Sequence, residues 1–311
     1  MGATNPIIFN LKAKIGNVLV ESFYKKMGKK LGAKIHNYNG KTDIEWSSIK
    51  TGKSETLLFL HGFSDRKENF YFASKSLKEK FDIIIPDMPA FGKSTVDKKI
   101  KYSLENYCEW LADFIENTDI KRFHLVGSSL GGAVAVLLAI KFPDRVKSLS
   151  LVGSAGFYMS DKKSIYDEAL NGQNLFQIDT PEEYERFRDR IFKNKITLPN
   201  FVKEYMVKLA IDNRDWYGKI FNDLGDIERV KKKLKTIDDI TLNSLCQEIK
   251  MPTMLFWGKH DTLFPCETAD FLKGQIPNAR AHIFEKLGHV PQSEDPQGFA
   301  KELSDFILSL E

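Results

Sequence analysis

Four short apolar runs, Thr56 to Leu60, Asp82 to Pro86, Arg122 to Val126 and Ser148 to Val152, punctuate the first half of the chain. Between them lie longer stretches with apolar residues three or four positions apart. Short apolar runs bounded by turn residues read as buried strands, and their alternation with helical stretches implies a parallel sheet. From about Gly156 to Lys250 the strand pattern vanishes, and helical, aromatic-rich segments replace it. There Thr180-Pro181-Glu182-Glu183 reads as a helix start, with a threonine cap, proline at the first helical position and acids in the first turn. The strand pattern resumes at Met254 to Trp257 and Ala281 to Glu285, and the chain closes on a helical stretch from Pro296 to Leu310. The pattern predicts an α/β fold: a mostly parallel sheet flanked by helices, with an inserted helical cap. The expected division is 1–38 as an N-terminal helical segment, 39–155 and 251–311 as two parts of one core, and 156–250 as the cap.

The N-terminal segment has its own pattern. Ile8, Leu11, Ile15, Leu19, Phe23 and Met27 form a helical stripe within a stretch from about Thr4 to Leu31, and Lys12, Lys14, Lys25, Lys26, Lys29 and Lys30 make it basic. A basic amphipathic helix can lie on a membrane surface, and it can equally pack on the body of the protein or on a second subunit. Residues 1–34 are therefore a candidate for peripheral membrane contact.

Composition changes this picture little. At 311 residues, 42% of them hydrophobic, the chain can fill one large core, and a net charge of +4 is too small to argue for nucleic acid. Cys108, Cys246 and Cys266 are widely spaced, without a C-x-x-C pair or metal-ligand spacing, so a reducing compartment fits and no metal is expected. The longest apolar stretch of the core, Ala133 to Ile140, is far shorter than the roughly 20 residues a membrane span requires. No clear secretory signal opens the chain. The expected location is cytoplasmic or peripherally membrane-associated, and the sequence leaves the oligomeric state open.

The chemistry centres on Gly127-Ser128-Ser129-Leu130-Gly131, between a predicted strand and the apolar helical run Gly132 to Phe142. In that context a G-x-S-x-G match describes a sharp turn that holds the Ser129 hydroxyl proud of the sheet. A hydroxyl is a poor nucleophile at neutral pH, so it needs a base to take its proton and an acid to orient the base. Asp261, in Gly258-Lys259-His260-Asp261, and His289, in Gly288-His289, follow the last two predicted strands, where ligands collect in parallel sheets. Ser129, Asp261 and His289 are the expected triad. The backbone amides of Phe63, after the strand ending at Leu60, and of Leu130 are the expected oxyanion donors. His61 competes as base, but its place before Gly62 suits a structural hydrogen bond; Asp87, ending a strand ahead of the serine turn, suits a turn-fixing role. In the cap and beside the base, Phe157, Phe176, Phe201, Tyr205, Met206 and Val290 are candidates to line an acyl pocket.

His61-Gly62-Phe63-Ser64, Asp87-Met88-Pro89, His124 through Gly132, Trp257 through Asp261 and Gly288-His289 resemble the α/β-hydrolase superfamily, from about Asp43 to the C-terminus. Thr180-Pro181-Glu182-Glu183, Trp216-Tyr217 and Ala269-Asp270-Phe271-Leu272 make the chain most similar to its monoacylglycerol lipase and esterase branch. Ala90 departs from the pattern, standing where many relatives have glycine. The resemblance implies a cofactor-free serine hydrolase acting on small-molecule acyl esters, monoacylglycerols or medium-chain lipids among them, often with a membrane-associating N-terminus. Two alternatives stand beside it. Carbon–carbon bond hydrolases of ring-cleavage products share the serine and would use cap cations such as Arg186, Arg188, Arg190 or Arg214; a non-catalytic ligand-binding relative would keep the fold alone.

Overall fold

The computed structural model describes residues 6–226, 229, 232 and 236–310. Its sheet contains β1 (Lys34–Asn39), β2 (Asp43–Ile49), β3 (Thr56–Leu60), β4 (Asp82–Pro86), β5 (Phe123–Ser128), β6 (Val146–Val152), β7 (Thr253–Gly258) and β8 (Ala279–Phe284). The spatial order is β1-β2-β4-β3-β5-β6-β7-β8. β1, β2 and β4 pair antiparallel, and every other neighbouring pair is parallel.

Consecutive strand residues feed opposite layers, which is why the central strands read as unbroken apolar runs. Leu58 and Leu60 of β3 join the layer under α3 (Leu104–Asn117) and α4 (Leu130–Lys141). Leu57 and Phe59 join the layer under α2 (Tyr71–Leu77) and the C-terminal helix Pro296–Leu308. β5 runs two residues beyond the expected Val126, because Gly127 and Ser128 continue the ladder opposite Leu151 and Val152. α4 then begins at Leu130, leaving Ser129 alone to turn the chain.

Helices α5 (Ile165–Leu170), α6 (Pro181–Ile191), α7 (Asn200–Asp212) and α8 (Arg214–Gly225) lie between β6 and β7. α6 starts with a reciprocal cap: Glu183 N–H donates to Thr180 Oγ1 at 3.1 Å, and Glu183 Oε2 accepts from Thr180 N at 3.1 Å. After β7 come α9 (Glu267–Gln275), α10 (Pro291–Glu294) and α11 (Pro296–Leu308).

One expectation needs correction. The boundary placed between residues 38 and 39 cuts through β1, which pairs with β2 along its whole length from Lys34 opposite Ser48 to Asn39 opposite Asp43. β1 is a polar edge strand, so it offered no apolar run to read. On α1 (Pro6–Leu31) the structure distinguishes the two ways in which the stripe could be used; Thr4 and Asn5 lie outside the described residues. Its expected stripe of Ile8, Leu11, Ile15, Leu19 and Phe23 faces outward, all five exposed. The face that packs is instead Ala13, Gly16 and Val20, all buried, with Phe9 and Met27 half-buried. It packs against α7, where a Cβ on Gly16 would lie 1.9 Å from the Phe201 carbonyl oxygen, and Lys12 Nζ meets Glu204 at 3.1 Å. Among the described residues no helix is long and apolar enough to cross a membrane.

The close approach at Gly16 generates a prediction. Gly16→Val puts a branched side chain where α7 backbone already stands, at an overpacking cost of about 1–3 kcal/mol. Hydrogen exchange should speed up along α1 and α7 and stay unchanged in β3 to β6.

Candidate active site

Ser129 follows β5 with φ 52° and ψ −119°, a sparsely populated positive-φ conformation that costs an L-residue about 1–3 kcal/mol. Its backbone is held there from every side. Ser129 N–H donates to Val152 O at 2.9 Å, and its carbonyl accepts from Gly132 N at 2.9 Å, Ala133 N at 3.3 Å and Ala155 N at 3.0 Å. The turn is tight enough that a Cβ on Gly127 would sit 2.3 Å from Gly131 O, and one on Gly131 would sit 2.3 Å from Leu60 O. Glycine at both positions is a steric requirement.

Asp261 follows β7 and His289 follows β8. His289 Nδ1 donates to Asp261 Oδ2 at 2.8 Å, and Asp261 Oδ1 accepts from Leu263 N at 2.8 Å and Phe264 N at 3.1 Å. Both side chains are buried. An ionised carboxylate occupied in this way fixes the imidazole with its proton on Nδ1, leaving Nε2 with its lone pair. Sequence reasoning missed the residue that makes room for this pair: Gly153, just past β6, has φ 48°, and a Cβ there would lie 2.6 Å from His289 O and 3.1 Å from its Nδ1. A glycine directly after a predicted strand was the available signal. Val152 holds the Ser129 amide and Gly153 lies against His289 and Asp261, so the serine turn and the His289–Asp261 pair both border the end of β6. Phe264 marks the same convergence: its ring lies 5.6 Å from that of His289, and it lines a cavity together with Ser129.

The loop after β3 passes over the serine turn, where a Cβ on Gly62 would be 3.1 Å from Ser129 Cβ. Among the described residues, neither Phe63 N–H nor Leu130 N–H donates to a protein acceptor. His61 anchors this loop from within: its Nδ1–H donates to Gly62 O at 2.8 Å, and its Nε2 accepts from Met88 N at 2.9 Å, so the ring is neutral and internally satisfied. Beneath it Asp87 accepts from Lys67 N at 2.7 Å, Lys67 Nζ at 2.6 Å and Lys93 N at 2.9 Å. Lys67 Nζ also reaches Glu45 at 2.6 Å and Glu68 at 3.2 Å. Burial opposes the charge on Lys67, but the Asp87 and Glu68 carboxylates outweigh it and hold the ammonium above the ordinary lysine range. Nearby Ala90 has φ 76°, a left-handed position that glycine would occupy without strain.

The cavity at Ser129 measures about 90 Å³, where a single water needs roughly 10–15 Å³. Its wall is apolar, with Phe63, Leu130, Phe176, Phe221, Leu263 and Phe264 prominent. Of the expected acyl-pocket residues, Phe176 lies in this wall; Phe157, Phe201, Tyr205, Met206 and Val290 do not. Phe157 is buried in the main core, and Val290 packs against that core. Met206 packs on a small separate cluster around Ile178 and Tyr184. The Phe201 carbonyl and the Tyr205 Cβ lie against Gly16, because α7 is committed to α1. The wall comes instead from α5 and α8, through Ile165, Ala169, Phe221 and Leu224, whose three- and four-residue spacings were the legible sign. Arg186, Arg188, Arg190 and Arg214 are each paired elsewhere, with Glu183, Glu185, Glu168 and Asp179, and none lines the cavity. Among the described residues no group of His, Cys, Asp or Glu is arranged to hold a metal ion.

Comparison with known proteins agrees with the fold. A family model described as the alpha/beta hydrolase fold matches residues 55–296. Lipase 1 of Psychrobacter immobilis is 31% identical over 241 residues, covering 77% of this chain and 73% of that protein. Monoacylglycerol lipase ABHD6 of Homo sapiens is 28% identical over 270 residues, covering 84% of this chain and 77% of its own. Among solved structures, a membrane phospholipase A described as a bacterial virulence factor superposes with a TM-score of 0.86 at 26% identity, covering 95% of this chain and 92% of that one. A putative lipase of Acinetobacter baumannii superposes with a TM-score of 0.82 at 27% identity, covering 93% and 96%.

Lys67 supports the loop that carries Phe63, and its removal strands Asp87 as an unpaired buried charge. Lys67→Met should cost about 3–5 kcal/mol of stability, measured by urea unfolding.

Proposed function

Because this chain belongs to the α/β-hydrolase family and is a serine hydrolase that cleaves carboxylic esters, we propose that Ser129 is its nucleophile, His289 its base and Asp261 the acid that orients the base. The observation that carries this reading is the Ser129 turn: a strained, fully tied serine opens into an apolar cavity beside a buried His–Asp pair. His289 Nε2 takes the hydroxyl proton as Ser129 Oγ attacks the ester carbonyl. The tetrahedral oxyanion is received by the Phe63 and Leu130 amides, each such donor contributing roughly 2.7–4 kcal/mol of transition-state stabilisation. Collapse expels the alcohol, protonated by His289, and leaves an acyl-enzyme. Water, deprotonated by the same imidazole, then releases the acid by the same steps in reverse.

We assign the acyl chain to the apolar cavity and the substrate class to monoacylglycerols or medium-chain lipid esters. Each buried methylene contributes about 0.8 kcal/mol, so such a wall discriminates in favour of fatty chains. The names of the lipase relatives support the same class. The carbon–carbon hydrolase alternative calls for a cation facing an anionic substrate, and the cap arginines are paired away from the cavity.

Across a panel of nitrophenyl esters, wild-type kcat/KM should rise from acetate to a medium chain and then fall. Ser129→Ala should lower turnover by a factor on the order of 10⁶ and abolish fluorophosphonate labelling. Near-normal hydrolysis by that variant would remove the assignment.

We also propose that the outward stripe of α1 meets a lipid surface. Leu11, Val18, Leu19 and Phe23 are exposed apolar groups on a helix whose Lys14, Lys25, Lys26, Lys29 and Lys30 also face solvent. Wild-type protein should sediment with phosphatidylglycerol vesicles more than with phosphatidylcholine vesicles, and Leu11→Glu combined with Val18→Glu and Phe23→Glu should not. Equal sedimentation of both proteins would refute this, and dimerisation lost in the triple variant would assign the stripe to a second subunit.

A further inference from the structure

We propose that Glu294 is a positioning residue for His289, and that it acts by clamping the end of α6 onto the loop that carries the base. The proposal rests on the reading of Ser129, His289 and Asp261 above. His289 sits on a loop between β8 and α10, and a base on a loop must have its backbone held if its ring is to stay aligned. Asp261 fixes the ring, but two consecutive backbone amides of the loop are held from elsewhere. Gly288 N–H donates to Glu294 Oε1 at 2.6 Å, and His289 N–H donates to Ile191 O, at the end of α6, at 3.0 Å.

Glu294 joins these two supports. Its second oxygen, Oε2, accepts from Asn194 N at 2.7 Å, and Asn194 Nδ2 donates back to Lys286 O at 2.8 Å. One half-buried carboxylate thus bridges the amide before the base to the chain segment just past α6. The approach is close: a Cβ on Gly288 would lie 2.8 Å from Lys193 N, 2.9 Å from Glu294 Oε1 and 3.1 Å from Ile191 O. A second fastening lies beside the acid. Arg190 Nε donates to Thr262 Oγ1 at 2.8 Å and its Nη2 to Thr262 O at 2.7 Å, while Thr262 Oγ1 donates to Arg190 O at 3.1 Å. Thr262 directly follows Asp261. The end of α6 is therefore built into the support of both the base and the acid, and Glu294 is the side chain through which the base loop grips it.

Glu294→Ala removes both bridges; Glu294→Gln keeps one carbonyl acceptor and sets an amide donor against one backbone N–H. With p-nitrophenyl butyrate, Glu294→Ala should lower kcat by roughly 10- to 100-fold, the scale of a displaced catalytic group, with KM within about twofold of wild type. Glu294→Gln should recover part of the loss. Fluorophosphonate labelling of Ser129 should slow in parallel. Arg190→Ala added to Glu294→Ala should cost less than the product of the two single effects, since both loosen one docked segment. An unchanged kcat in folded Glu294→Ala, or a change confined to KM, overturns the proposal. If Glu294→Ala does not fold, Glu294→Gln decides alone: a lowered kcat at an unchanged melting temperature supports it, and an unchanged kcat overturns it. An inactive wild type would remove the site reading and this inference together; an active wild type with an indifferent Glu294→Ala would remove only this one.

Discussion

A serine held at φ 52° is the constraint around which the rest of the molecule is arranged. Positive-φ backbone is unfavourable for any side-chain-bearing residue, so the conformation persists only where the surroundings over-determine it. Here the β6 carbonyl of Val152 holds the Ser129 amide, the first turn of α4 and Ala155 hold its carbonyl, and Gly127 and Gly131 permit contacts that a methyl group would forbid. Neighbouring elements inherit their positions from this arrangement. β6 must end where it can receive the turn, and Gly153 must follow it without a side chain. The loop after β3 must cross within contact of Ser129 at Gly62. The strain at one residue and the parallel strands on either side of it are two aspects of a single packing solution.

The parts of this arrangement that the sequence made legible are those written in local pattern. β3 and β4 were readable to their exact ends, because each strand supplies both layers and so carries no polar interruption. Ser129, Asp261 and His289 could be picked out as candidates because each follows an apolar run. What escaped was set by long-range partners. β1 is polar and finds its place only against β2. On α1 the stripe of larger side chains could not by itself say whether it packs or faces out; the smaller residues pack because α7 comes close enough to need Gly16. That choice then removed Phe201 and Tyr205 from the pocket. Glu294 and Gly153 escaped for the same reason: their roles consist of atoms supplied by segments far away in the chain.

The buried charges follow a different logic from the apolar core. Lys67 is surrounded by Asp87, Glu45 and Glu68, and His61 is satisfied at both nitrogens in its neutral form. Such groups contribute little net stability over an apolar replacement of the same shape, yet they tolerate only one geometry. Placed under the loop bearing Phe63, they give that loop a definite shape. Backbone donors aimed at a developing charge are effective only if they need not rearrange when it appears.

The residues proposed to react are scattered along the polypeptide. The Ser129 turn is complete within a few residues, but Asp261 and His289, its proposed acid and base, arrive only after the last two strands, once the whole helical insertion has been made. No fragment ending before β8 contains a proton relay, and loop closure over such a span is among the slower events of folding. Under the proposed assignment, a nascent or partly unfolded chain carries a chemically silent serine. In refolding, the return of hydrolysis would report that β5, β6, β7 and β8 have come together.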